Sequence, residues 1–126
     1  GSFVLCLTSN KGAYDFQYNL YNNEPLFISV AKFCKGLNKK NNLGIVVGAT
    51  KPKSMKQISE NSLGLSWLMP GIGAQGGDLE SSIKTSNKNG LGIINVSRGI
   101  LYSGKGSIDC INNAAKEYTK EIRKYL

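Results

Sequence analysis

Histidine is absent from the 126 residues, and arginine is nearly so. Without histidine there is no Ser-His-Asp triad, no Cys-His nucleophile pair and none of the commonest zinc sites. The three cysteines, Cys6, Cys34 and Cys110, are odd in number and far apart, which fits neither a disulfide framework nor a thiolate metal cluster and points to a reducing compartment. No apolar run is long enough to cross a bilayer and nothing resembles a signal peptide, so a soluble, cytoplasmic protein with no membrane partner is expected. What chemistry remains belongs to lysine, to carboxylates or to bound groups.

The charge is lopsided, with 16 basic against 8 acidic residues and a formal net charge of +8. The excess is lysine, 14 residues against the two arginines Arg98 and Arg123, dispersed along a chain that also carries 13 asparagines. Lys32, Lys35, Lys39 and Lys40 would project from one helix and its end, and no aromatic residues alternate with them as stacking platforms, so solvated faces are expected rather than a nucleic-acid partner. Arg123 falls in a terminal helical pattern and reads as a surface charge, which leaves Arg98 as the informative arginine.

Four near-continuous apolar runs, Phe3–Leu7, Leu43–Val47, Leu65–Met69 and Leu91–Asn95, read as strands buried on both faces. Helical patterns separate them. Pro25–Leu37 carries Leu26, Val30, Phe33 and Leu37 on one stripe, and Pro52–Ser59 opens with proline, whose missing N–H costs nothing in a first turn. A short helix begins near Asp78 and runs through about Ser86, and Gly106–Tyr125 closes the chain with Ile108, Ile111, Ala115 and Ile122 expected to face inward. The predicted class is therefore α/β, a single segment 1–126 of four βα units with a parallel sheet. At about 31 residues per unit this matches half of a (βα)₈ TIM barrel, in which roughly 250 residues are shared among eight units.

In such a barrel ligands sit where the strands end, and a phosphate is often held by the loops after the last two strands. Both loops stand out here. The first, Pro70-Gly71-Ile72-Gly73-Ala74-Gln75-Gly76-Gly77-Asp78, follows the third apolar run and has four glycines that let backbone N–H groups approach an anion, with Pro70 stiffening its start. Gln75 adds an amide able both to donate and to accept. The second, Val96-Ser97-Arg98-Gly99, supplies a guanidinium that can fork onto two phosphate oxygens, with the N–H groups around Ser97 and Arg98 at an expected helix start. Plain readings stand beside these: the glycines also serve ordinary strand-to-helix turns, and Asp78 is expected to cap a helix, since a carboxylate would repel a phosphate.

Taken together, PGIGAQGGD at 70–78, NVSRGILY at 95–102, VVGAT at 46–50 and FVLCLTSN at 3–10 resemble the C-terminal half of orotidine 5′-phosphate decarboxylase, along the whole chain. The resemblance implies a (βα)₈ barrel, a homodimer with active sites at the subunit interface, and conversion of orotidine monophosphate to UMP and carbon dioxide without cofactor or metal. It places Gln75, Ser97, Arg98 and Gly99 on the substrate phosphate, and Thr8, Ser9, Pro70 and Gln75 on the pyrimidine. It makes Gly71, Gly73, Gly76 and Gly77 the closing loop. Thr8 and Ser9 equally suit a strand end, Thr50 and Lys51 read as wall and packing, and Trp67 and the cluster Tyr14, Phe16 and Tyr18 read as core or interface filling. Lys11 departs from the family pattern, in which proline is expected, and leaves the path of its loop open.

The family's Asp-x-Lys-x-x-Asp segment does not occur in the sequence, so no catalytic residue is expected in this chain and the N-terminal half of the barrel becomes a required partner. Two alternatives remain within reach of the residues. One is a non-catalytic nucleotide-binding half-barrel; the other is a sugar-phosphate lyase or epimerase on a related phosphate-binding barrel, which has no evident need for Gln75 or Ser9.

Overall fold

The computed structural model describes residues 1–73 and 76–126. Its centre is a four-stranded parallel sheet made of β1 (Ser2–Leu7), β4 (Leu43–Val47), β5 (Ser66–Pro70) and β6 (Gly92–Asn95), in that spatial order. Each crossover carries a helix, namely α2 (Leu26–Leu37), α3 (Pro52–Asn61) and α4 (Leu79–Ser86), and α2 packs on α3 and α3 on α4 to form one layer. Three further pieces decorate this frame. A one-turn helix α1 (Ala13–Phe16) and a hairpin of β2 (Leu20–Tyr21) with β3 (Glu24–Pro25) lie between β1 and α2. After β6 come α5 (Arg98–Leu101), a 3₁₀ turn over Ser103–Gly106, and α6 (Ile108–Arg123).

Local chemistry sets the helix starts. Pro52 occupies the first turn of α3, Asp78 caps α4 by accepting from the Ser81 N–H at 3.1 Å, and the Ser107 hydroxyl accepts from the Cys110 N–H to cap α6. The hydrogen bonds from Ser81, first from its hydroxyl and then from its N–H, hold the Asp78 carboxyl below its ordinary value. Asp78 is thus a cap, as its position implied.

The core lies between the sheet and the helix layer and centres on Leu7, Phe27, Ile45, Val47, Met55, Ile58, Trp67 and Met69. Trp67 is fully enclosed, and its indole N–H donates to the Ser62 hydroxyl at 3.1 Å. Cys6 and Cys34 belong to this core; burial pushes the Cys6 thiol up to about 12 and raises Cys34 as well, so neither is a nucleophile at neutral pH.

Three expectations about burial need correction. The strands are not buried on both sides: Leu5, Val46, Leu68 and Ile93 are partners in register on the face opposite the helices, and Phe3, Leu5 and Ile93 stand 44%, 54% and 37% exposed. Their continuous hydrophobicity describes a sheet whose second side has no cover among the described residues. On α2 the buried residues are Phe27, Ile28, Ala31 and Cys34, while Leu26, Phe33 and Leu37 of the expected stripe are exposed. Two adjacent apolar stripes run along that helix, and the one with the small Ala31 and Cys34 lets it approach the sheet. Finally, α6 buries no residue fully and leaves Ile108 exposed, because it packs on α5, α4 and the 3₁₀ turn rather than on strands.

Candidate active site

Parallel strands bring all four following loops to one edge of the sheet. At the end of β1, Leu5, Thr8, Ser9 and Asn10 meet Val46 and Pro70 around a recess of about 250 Å³. The Ser9 hydroxyl oxygen is buried and has no hydrogen-bond partner among the described residues. Gly48 makes this possible: a Cβ there would collide with the Ser9 hydroxyl and lie 2.7 Å from its backbone nitrogen. The Thr50 hydroxyl donates to the Ser9 carbonyl at 3.4 Å. Thr8 is engaged locally instead, its N–H donating to Gln17 Oε1 at 2.8 Å and its hydroxyl to Asn10 Oδ1 at 2.6 Å. Gln17 was not anticipated from the sequence, where nothing marks a lone glutamine in a loop. The path that Lys11 left open is a turn, with the Tyr14 N–H bonded to the Lys11 carbonyl, leading directly into α1.

The glycine-rich loop after β5 is a pinched excursion. Ile72 bridges Gly77, the Gly77 N–H donates to the Gly71 carbonyl at 3.1 Å, and the Gly76 N–H donates to Gly73 at 2.8 Å. Gly71, Gly73 and Gly76 have φ of 99°, 77° and 72°, a region in which side chains are strained. At the base, Gly77 has no room for a Cβ against the Gly71 carbonyl, 2.6 Å, and the Ala49 methyl, 2.9 Å, while the Ala49 N–H donates to the Pro70 carbonyl. Gln75 and Ala74 lie outside the described residues.

Beyond β6, Ser97 and Arg98 are exposed and Arg98 opens α5; the Ser97 carbonyl accepts from the N–H groups of Ile100 and Leu101. The ion pairs among the described residues, Lys32–Glu24, Lys84–Glu80 and Lys124–Glu121, do not involve Arg98. Lys51, just past Thr50, has a buried ammonium 3.9 Å from the Tyr14 ring centre and 4.7 Å from that of Tyr18. Tyr18 joins the core margin, whereas Tyr14 and Phe16 are exposed and do not fill it. No group of three metal-ligating side chains occurs among the described residues, and no helix there is long and apolar enough to cross a membrane.

The glycine-rich loop and the Arg98 loop thus leave adjacent strands at one edge of the sheet, and the recess lined by Ser9 reaches Pro70 at the start of the first. Residues 1–109 match the model of the orotidine 5′-phosphate decarboxylase / HUMPS family. The chain belongs to that family. The orotidine 5′-phosphate decarboxylase of Natronomonas pharaonis is 37% identical over 132 residues, an alignment covering 99% of this chain and 49% of that protein. The one from Dehalococcoides mccartyi is 46% identical over 113 residues, covering 85% and 42%. Among solved structures, Leishmania donovani OMP decarboxylase superposes with a TM-score of 0.83 at 34% identity, over 98% of this chain and 46% of the other. The chain therefore spans about half the length of the curated relatives it matches, and its four-stranded sheet is part of the family's βα barrel.

Proposed function

We propose that this chain is the phosphate- and pyrimidine-binding half of an orotidine 5′-phosphate decarboxylase. The observation that carries the reading is the recess lined by Ser9 at the same sheet edge as the Gly71–Gly77 loop and Arg98, with the Ser9 hydroxyl buried against Gly48 and left without a partner among the described residues. Ser9 faces the pyrimidine amide edge with Pro70, Thr8 beside it serves that edge by fixing the loop through Gln17 and Asn10, Gln75 spans pyrimidine and phosphate, and Arg98 with the N–H groups of Ser97 and Gly99 holds the phosphate. In the reaction the bond from C6 to the carboxylate breaks, its electron pair stays on C6, carbon dioxide leaves, and a lysine of the other half protonates C6. Phosphate grip remote from C6 closes the Gly71–Gly77 loop and organises the reacting groups, so binding energy lowers the barrier. The working enzyme is a cytoplasmic homodimer that requires neither metal nor cofactor.

The absence of an Asp-x-Lys-x-x-Asp segment from the sequence favours a second reading for the chain alone, a nucleotide-binding module without turnover. Loss of orotidine monophosphate absorbance, followed with the mass-verified 126-residue chain and again after adding the N-terminal half, separates the two. Turnover only in the completed barrel is expected. Turnover by the chain alone overturns the division of labour, and UMP binding without turnover in the completed barrel leaves only the binding module. In the active barrel, Arg98→Ala is expected to lower kcat/KM by about 2 kcal/mol or more, and Gln75→Ala to weaken substrate use in the same direction. Unchanged kcat/KM in both variants removes these assignments.

A further inference from the structure

The two loops assigned to the phosphate are held apart by one side chain from a third element. Tyr118, half-buried on α6, inserts its ring between Gly73 of the first loop and Gly99 of the second. A Cβ at Gly73 would collide with the Tyr118 hydroxyl and approach the ring along its Cε1 edge. A Cβ at Gly99 would lie 2.6 Å from the same hydroxyl and 3.3 Å from Cε2, on the opposite edge. One phenol thus occupies the space that a side chain on either loop would need. Tyr118 lies on a helix that buries no residue completely and that meets α5 and α4, the helices that follow these two loops.

We propose that Tyr118 is a positioning residue for phosphate recognition, a spacer whose hydroxyl and ring fix the separation of the glycine-rich loop from the Arg98 loop. This rests on the decarboxylase reading above. Tyr118 acts through the backbones of Gly73 and Gly99, whose separation sets the phosphate gap, so its effect falls mainly on the ligand's phosphate. At 99, where φ is not in the left-handed region, a side chain would have to displace the Tyr118 hydroxyl and ring edge, so the glycine lets the tyrosine sit where it does. At 73, where φ is 77°, the backbone conformation itself calls for glycine.

The test is a mutant cycle in the completed barrel, comparing wild type, Gly99→Ala, Tyr118→Phe and the double variant. UMP and uridine are used as competitive inhibitors and orotidine monophosphate as substrate. Gly99→Ala is expected to weaken UMP and raise KM roughly tenfold while uridine inhibition stays within about twofold, with kcat changed less than KM. Tyr118→Phe alone is expected to weaken UMP about threefold. Removing the hydroxyl also relieves the collision, so the double variant should regain most of the loss in Gly99→Ala. Additive losses, parallel losses for UMP and uridine, or a Tyr118→Phe enzyme identical to wild type each overturn the proposal. Tyr118→Phe is conservative enough to fold, and its melting temperature is measured alongside. Wild-type barrel that neither binds UMP nor turns over substrate overturns the decarboxylase reading itself, a result distinct from an active wild type lacking the coupling.

Discussion

The two faces of the sheet are built from equally apolar residues and have opposite fates. On one, Ile45, Val47, Trp67 and Met69 are sealed beneath α2 and α3; on the other, Leu5, Val46, Leu68 and Ile93 lie side by side with no layer over them among the described residues. Hydrophobicity alone therefore reports that a surface is meant to be covered and says nothing of what covers it. Since the relatives are about twice as long, the bare face is where the rest of the barrel belongs in the proposed enzyme. The site sits at the rim shared by both faces, so its loops are shaped by this chain while its interior wall is only half supplied.

The contrast can be broken most forcefully from the sealed side. Trp67→Ala is expected to destabilise by roughly 3–5 kcal/mol, read by urea unfolding followed by circular dichroism, because it empties the largest buried site and orphans the Ser62 hydroxyl. Leu5→Ser tests the bare side. In the completed barrel it should cost about 2 kcal/mol, while in the 126-residue chain alone the cost should stay below about 0.5 kcal/mol, since the side chain is already in solvent. Equal costs in the two settings would mean that the face is covered by self-association. A smaller effect belongs to neither face: Asp78→Ala removes the α4 cap and should cost about 1 kcal/mol. The Asp78 carboxyl is held below its ordinary value of 3.8 in the folded chain. Its contribution is therefore complete above that value and is lost as pH falls through the lowered one. The difference between wild type and Asp78→Ala should accordingly vanish in acid unfolding titrations.

The strand positions were legible because buried parallel strands need continuous apolar runs, and each run lies within a residue or two of an observed strand. Which helix stripe turns inward was not, because α2 is apolar on two adjacent stripes and only the sheet's proximity selects the smaller side chains. The β2–β3 hairpin does carry a sequence mark, Asn22-Asn23, both at positive φ of 51° and 63° between Tyr21 and Glu24. For the proposed site, glycine spacing and the scarcity of arginine singled out two loops, and the fold sets them at the ends of adjacent strands. The Gln17 bond to Thr8 and the Tyr118 spacer had no pattern to betray them, since the first joins two ends of an irregular loop and the second depends on residues far apart in sequence meeting in space.

Trp67 has an optical consequence. As the sole tryptophan, it concentrates the indole emission of the chain at one point, on the helix-covered side of β5, with Leu68 on the opposite side next to the strand ends. Its fluorescence will register melting of the hydrophobic interior clearly and a nucleotide arriving at the loops hardly at all. A titration that leaves the emission flat is thus uninformative about occupancy, and a reporter for ligand has to be placed elsewhere, with the exposed Phe16 beside the recess-forming loop a convenient position for a second indole.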